Sequence, residues 1–375
     1  MPHHLIDTQK DVDDVCRKLA DAAVIGVDTE FLRVRTYYPR LALIQVSAGN
    51  AIYCIDPLVS GLSLEGLWSL LAAPGIRKVM HAARQDVEVL LHTAGIAPAP
   101  LFDTQIAAGL LGYGEQIGYA GLVEAEFGVV LPKGVQRTDW TRRPLSDAQL
   151  GYAENDVRYL PPLYGRMKAG LEALDRLEWA LEDSKRVLDP ALYQADPEQA
   201  YRRVGRGAHL KPRAQHGLKQ LCTWRERIAR ERDLPRHWVL DDETLASIAA
   251  SQPRSIDELR QVAGMRPDVV RRDGRAIVDC LEKPVTTVER LWSKPESLSD
   301  EQKALRTRLI ELLGTRAEKL GIAEAVLATR SDVEKLVRGN RPEEVILGWR
   351  WEVVGRAMQD VLSGAGRLSG SAGGN

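Results

Sequence analysis

Ile25-Gly26-Val27-Asp28-Thr29-Glu30-Phe31 opens as a buried β-strand and then delivers two carboxylates two residues apart. Side chains alternate along a strand, so Asp28 and Glu30 project from the same face. Two neighbouring carboxylates on a sheet face repel unless something positive lies between them. A divalent cation answers that need, because hard cations such as Mg²⁺ take oxygen ligands. A D-x-E at a strand end is otherwise an ordinary solvated terminus, so the reading turns on what accompanies it.

On either side of this stretch the pattern is that of an α/β domain. Leu5 to Ala22 places Val12, Val15 and Leu19 at helical spacing. Downstream, residues 41–47 and 51–57 are two β-rich runs separated by Ala48-Gly49-Asn50, which predicts a hairpin. Residues 62–71 read as a helix, and residues 78–82 as a short strand feeding a helix that starts near Ala83. Asp86 falls in the first turn of that helix, where the helix dipole tolerates negative charge. Asp103 reads as the N-cap of the helix Ile106 to Leu111. Residues 131–145 form a basic and polar loop, after which Ser146 caps a helix carrying Tyr152 and Asp156. At i and i+4, these two are neighbours on one helical face.

Separately, each of these features has a plain structural explanation. Together, four carboxylates and a phenol suit two-metal phosphodiester hydrolysis, in which cations roughly 4 Å apart flank the scissile phosphate. A tyrosine, with a reference pKa of about 10, is a poor base at neutral pH. Tyr152 is therefore expected to position the attacking water.

Asp-Thr-Glu-Phe (28–31), His-Ala-Ala-Arg-Gln-Asp (81–86) and Tyr-Ala-Glu-Asn-Asp (152–156) resemble, in this order, the three exonuclease motifs of the DEDD superfamily, in its tyrosine-bearing branch. Residues 102–105 and Asp139-Trp140-Thr141-Arg142-Arg143-Pro144-Leu145 are similar to the ribonuclease D family in particular. The resemblance implies a ribonuclease H-like α/β exonuclease domain, a mixed sheet flanked by helices. It implies that Asp28, Glu30, Asp86 and Asp156 bind two divalent metal ions (Mg²⁺ or Mn²⁺), that Tyr152 orients the nucleophilic water, and that 5′-mononucleotides are released from a 3′ end. In the loop, Lys133, Gln136 and Trp140 become candidates for RNA contact, although a core position suits Trp140 equally.

The second half reads as helical. Tyr201 to Arg213 is a basic, glycine-containing connector in which Arg202, Arg203, Arg206, Lys211 and Arg213 are candidates for RNA phosphates. From Ala214, Leu218, Leu221, Trp224 and Ile228 restore helical spacing, with Glu226 and Arg230 set to pair at i, i+4 on an exposed face. Residues 221–245 resemble the HRDC helical domain that follows the catalytic domain in ribonuclease D. No G-x-x-x-x-G-K-[ST] loop is present, which speaks against a helicase motor. The expected organisation is an exonuclease domain at 1–170, a helical and basic linker at 171–213, and an HRDC domain at 214–290. A second HRDC-like helical domain is expected at 291–365, with a disordered Gly/Ser tail at 366–375. The fold class is thus an α/β domain followed by two all-α domains.

Composition agrees with this. Of the 375 residues, 44% are hydrophobic and 27% charged, an ordinary globular balance. No run approaches the ~18 apolar residues of a membrane span, and the four cysteines form no C-x-x-C pair. A cytoplasmic protein without disulfides is expected. Residues 1–170 hold 16 Lys and Arg against 19 Asp and Glu, whereas residues 201–290 hold 19 against 13. An acidic first part beside a basic second part fits a metal-dependent catalytic domain followed by a polyanion-binding one. The resemblance implies a monomeric 3′→5′ exoribonuclease trimming tRNA precursors and other small structured RNAs. The alternatives are a DNA 3′→5′ exonuclease, which would share fold and metals, and a non-catalytic RNA-binding scaffold.

Overall fold

The computed structural model describes residues 5–132, 134, 135, 138–282, 289–291, 296–342, 345 and 347–370. They form two compact units, one built from residues up to 31, 41–189 and 297 onward, the other from 32–40 and 190–296.

The first unit holds a six-stranded sheet in the order β1-β4-β3-β2-β5-β6. Its strands are β1 (Leu5–Ile6), β2 (Val24–Leu32), β3 (Arg40–Ala48), β4 (Ala51–Ile55), β5 (Arg77–Met80) and β6 (Leu101–Asp103). The predicted hairpin is present, with Ala48 paired to Ala51 and Ile44 to Ile55 in antiparallel register. Pairs β1–β4, β2–β5 and β5–β6 are parallel, so the sheet is mixed as expected. The flanking helices are α1 (Gln9–Leu19), α2 (Glu65–Ala72), α3 (Arg84–Ala94), α4 (Thr104–Leu110), α5 (Tyr119–Phe127), α6 (Asp147–Arg158), α7 (Leu160–Ala173) and α8 (Leu177–Val187).

Gly26 explains how β2 and the α6–α7 corner come so close. A Cβ there would lie 2.5 Å from Ser47 Oγ and 2.8 Å from Leu160 Cβ, where no side chain fits. Ser47 Oγ in turn donates to the Val157 carbonyl at 2.7 Å, tying α6 to β3.

The region expected as a separate domain at 291–365 belongs to this first unit. Leu309, Leu313 and Ala317 of the helix Asp300–Leu320 share one core with Val79, Phe102, Leu163 and Met167. Arg350 makes paired contacts of 2.7 and 2.8 Å with Asp183 on α8. Trp349 stacks on Trp179 with ring centroids 4.5 Å apart, so it is packing bulk. The units part near 297 rather than at 291, because the helices beyond it pack on one another and also continue the core that α7 and α8 line. The last helix runs Arg356–Gly370, so residues 366–370 of the expected tail are helical. Residues 371–375 lie outside the described residues.

The second unit is all-helical: Pro212–Glu231, Arg236–Val239, Asp242–Ser251, Ile256–Arg260 and Pro267–Glu282 around Leu218, Leu221, Leu245, Ile248, Leu259 and Ile277. The expected linker at 171–213 divides near residue 189. Tyr201 and Val204 are buried in the helical unit's core, held there by 3₁₀ turns at Pro197–Arg203 and Gly205–His209. All four cysteines are free. Among the described residues, no helix is long and apolar enough to cross a membrane.

Candidate active site

Strand alternation brings Asp28 and Glu30 to one face of β2, and α6 lays Asp156 against them. One carboxylate oxygen of each lies within 4.8 Å of the others. Asp86, in the first turn of α3, is buried and stands beside this trio. Its Oδ1 accepts a 2.5 Å hydrogen bond from Oγ1 of Thr29, the β2 residue that lies between the two strand carboxylates in sequence. All four predicted carboxylates are therefore gathered at the end of β2, three of them in a tight cluster.

Asp103 fixes the approach of α3. It caps α4 as expected, accepting from Gln105 N–H at 2.8 Å, and also accepts from the N–H groups of Ala82 (3.0 Å) and Ala83 (2.8 Å). One buried carboxylate thus caps two helix starts and holds the turn that presents Asp86.

Burial drives the Asp28 carboxyl well above the normal range, and the charges of Asp86, Asp156 and Glu30 push it further. Glu30 is raised to about 9, by burial first and then by Asp156 and Asp86. Asp156 is raised to about 7 by burial against the opposing hydrogen bond from Tyr152, with Asp86 adding repulsion. Asp86 rises to about 6, burial outweighing the Thr29 hydrogen bond. The charges acting on Asp28 and Glu30 are other carboxylates. An all-oxygen donor set with this much uncompensated negative charge fits a hard divalent cation.

Tyr152 donates its phenolic proton to Asp156 one helical turn away. Burial, followed by the charges of Asp156 and Glu30, raises its pKa above the ordinary tyrosine value, so the phenol stays protonated at neutral pH. A second tyrosine carries no motif signal. Tyr119 OH donates to the Asn155 carbonyl (3.0 Å) and accepts from Tyr159 N–H (3.1 Å), bracing the stretch of α6 that bears Asp156. Its proximity is electrostatic as well, since Asp156 and Asp28 both act on its phenol.

A 3′-5′ exonuclease family model matches residues 3–172, and an HRDC domain model matches residues 216–281. Ribonuclease D of Sphingobium indicum is 38% identical over 369 residues, covering 96% of this chain and 95% of the relative. Ribonuclease D of Xanthomonas oryzae is 36% identical over 362 residues, covering 96% and 99%. Among solved structures, Escherichia coli RNase D, described as an exoribonuclease involved in structured RNA processing, aligns with a TM-score of 0.85 and 33% identity. That alignment covers 97% of this chain and 99% of the other. The chain belongs to the ribonuclease D family.

It is accordingly a metal-dependent 3′→5′ exoribonuclease, an exonuclease domain followed by a helical HRDC region. Within this ribonuclease D-type framework the remaining candidates separate clearly. Trp140 is a core residue, 2% exposed and packed with Ala42, Leu43, Leu145, Leu150 and Tyr152, so it offers no face to a base. The cause lies three residues on. Arg143 pairs with Asp56 at 2.7 Å and donates to the Trp140 and Ala42 carbonyls, each at 2.7 Å, drawing the loop onto the sheet. Lys133 and Gln136 lie outside the described residues. Arg202, Arg203, Arg206, Lys211 and Arg213 are all exposed, with Arg206 paired to Glu243 at 2.8 Å.

Proposed function

We propose that this enzyme trims the 3′ ends of structured RNAs, tRNA precursors among them, releasing 5′-mononucleotides as a cytoplasmic monomer. The observation carrying this is the convergence of Asp28, Glu30 and Asp156 beside Asp86, in a chain that aligns nearly end to end with an exoribonuclease of structured RNA processing. Asp28, Glu30, Asp86 and Asp156 would hold two divalent cations, Mg²⁺ or Mn²⁺, as the hard oxygen set allows. When bound, such cations supply positive charge to the scissile phosphate and acidify the attacking water.

The chain's own side chains set the geometry. Tyr152, kept protonated and hydrogen-bonded to Asp156, leaves its oxygen lone pairs to accept from the attacking water and orient it towards phosphorus. Thr29 and Asp103 fix Asp86, and Tyr119 steadies the α6 backbone beneath Asp156. The water oxygen joins phosphorus, the bond to the 3′-oxygen of the penultimate nucleotide breaks, and that oxygen takes a proton. The exposed arginines at 202, 203, 206 and 213, with Lys211, support phosphate-directed, sequence-tolerant RNA binding.

The test compares three 5′-labelled substrates: a tRNA precursor with a short 3′ extension, an unstructured RNA, and DNA of that same sequence. The reading predicts stepwise removal of the extension, arrest near the folded body, and weaker action on DNA. Equal or better cleavage of DNA would favour the DNA exonuclease, and binding without cleavage would favour the scaffold.

A further inference from the structure

Strand alternation sets Leu43, Gln45 and Ser47 on one face of β3, and all three are fully buried. Leu43 belongs to the apolar core that contains Leu150 and Ala153 of α6. Ser47 has its partner in the Val157 carbonyl. Gln45 has none: neither its Nε2 nor its Oε1 meets a hydrogen-bond partner among the described residues. A buried amide left unpaired is costly, because the hydrogen bonds it made to water are not replaced. We infer that Gln45 is a positioning residue for the cation site, its amide N–H orienting the Asp28 carboxylate when a divalent cation engages that carboxylate. The inference rests on the metal-dependent exonuclease reading and adds to it a residue outside the three motifs.

Strand register places the two side by side. β2 ends at Leu32, β3 begins at Arg40, and the strands are neighbours in the sheet. A parallel crossover needs about a dozen residues or more, so this short connection makes the pair antiparallel. A Cβ on Gly26 would lie 2.5 Å from Ser47 Oγ, which sets Gly26 across from Ser47. Two residues onward along β2 and two back along β3, Asp28 lies across from Gln45. By the same register Glu30 faces Leu43, which has no polar group to offer. Residues directly opposed in an antiparallel pair share a face with Cβ atoms about 5 Å apart, within reach of a glutamine side chain.

Two of the other carboxylates already have a side-chain donor of this kind. Asp86 accepts from Thr29 Oγ1 at 2.5 Å, and Asp156 accepts from the Tyr152 phenol. The hydrogen bond that eases the charge on Asp28 comes instead from the Thr29 backbone. Hydrogen bonds from outside a ligand set fix how each ligand turns towards its cation and so tune affinity. Gln45 is placed to supply that contact to Asp28, and a carboxamide suits the task. It donates to a carboxylate without adding a charge to the site.

The test uses the full chain carrying Gln45→Met, which keeps the side chain's length and unbranched shape but removes its amide. Two quantities are measured: the Kd for Mn²⁺ by titration calorimetry, and Tm in metal-free buffer. The inference predicts a Kd weaker by about 10- to 100-fold. It predicts a metal-free Tm at or above that of the wild type, because an apolar group replaces an unpaired polar one. The Mn²⁺ concentration giving half-maximal cleavage should rise in the same proportion as the Kd. An unchanged Kd overturns the assignment, since packing or a buried water would then account for the amide. A metal-free Tm below wild type, or a variant that does not fold, also overturns it, because the amide would then serve the fold itself. Failure of the wild type to bind Mn²⁺ would instead refute the cation site on which the inference rests.

Discussion

Glu30 and Glu226 are both glutamates largely withdrawn from water, yet their carboxyls are driven in opposite directions, to about 9 and to about 2. For Glu30 burial is joined by the repulsion of Asp156 and Asp86, and every force acts against the charge. For Glu226 burial also acts against the charge, but the hydrogen bonds from Arg236 and Tyr37 and the charges of Arg236 and Arg230 outweigh it. The second cluster is complete within the chain. The first is incomplete, and its deficit is the positive charge that a divalent cation brings. A buried acid among arginines is architecture; a buried acid among acids is a place kept for an ion.

This contrast predicts opposite outcomes for the same kind of substitution. Asp28→Asn should lower kcat by at least about 10³-fold, roughly 4 kcal/mol of transition-state stabilisation. In metal-free buffer the same variant should melt no lower than wild type, because removing one charge relieves repulsion. Lower metal-free stability would contradict the proposed imbalance. Glu226→Gln should cost about 2–3 kcal/mol of the helical unit's stability, seen in denaturant melts, since Arg230 and Arg236 lose a buried partner.

The pH dependence of that loss has a definite sign. The folded carboxyl lies at about 2 against an ordinary 4.5, so its stabilisation is full above 4.5 and disappears as pH falls through about 2. Wild type and Glu226→Gln should therefore converge in stability over that window, and parallel curves would break the argument. Tyr152→Phe keeps the ring but loses the hydroxyl, and kcat should drop about 10- to 30-fold with little change in KM. The smallest effect is thermal: saturating Mn²⁺ should raise Tm by a few degrees in wild type and by less in Asp28→Asn.

Much of this was legible in the sequence for physical reasons. Alternation on β2 and the i, i+4 spacing on α6 are local rules, so Asp28, Glu30, Tyr152 and Asp156 could be placed before any tertiary contact was known. Asp103 was readable as one N-cap, but its second role, capping the start of α3, depends on the parallel pairing of β5 with β6. The exposure of Glu226 was misjudged for a similar reason. Its expected pairing with Arg230 is present at 3.5 Å, but the side chain is only 1% exposed, beneath Arg236 of the next helix and Tyr37 from a distant segment. Trp140 looked available to a base because the grip of Asp56 on Arg143 spans 87 residues. Residues 291–365 read as an independent domain because amphipathic helices announce an apolar face without naming what covers it.

The most direct test of the carboxylate cluster is cleavage of a 5′-labelled RNA bearing a single-stranded 3′ extension. The wild type and Asp28→Asn are compared with and without Mg²⁺ or Mn²⁺. The account predicts stepwise shortening that requires the cation and falls by at least about 10³-fold in the variant. Shortening that persists in Asp28→Asn, or that needs no divalent cation, would contradict it.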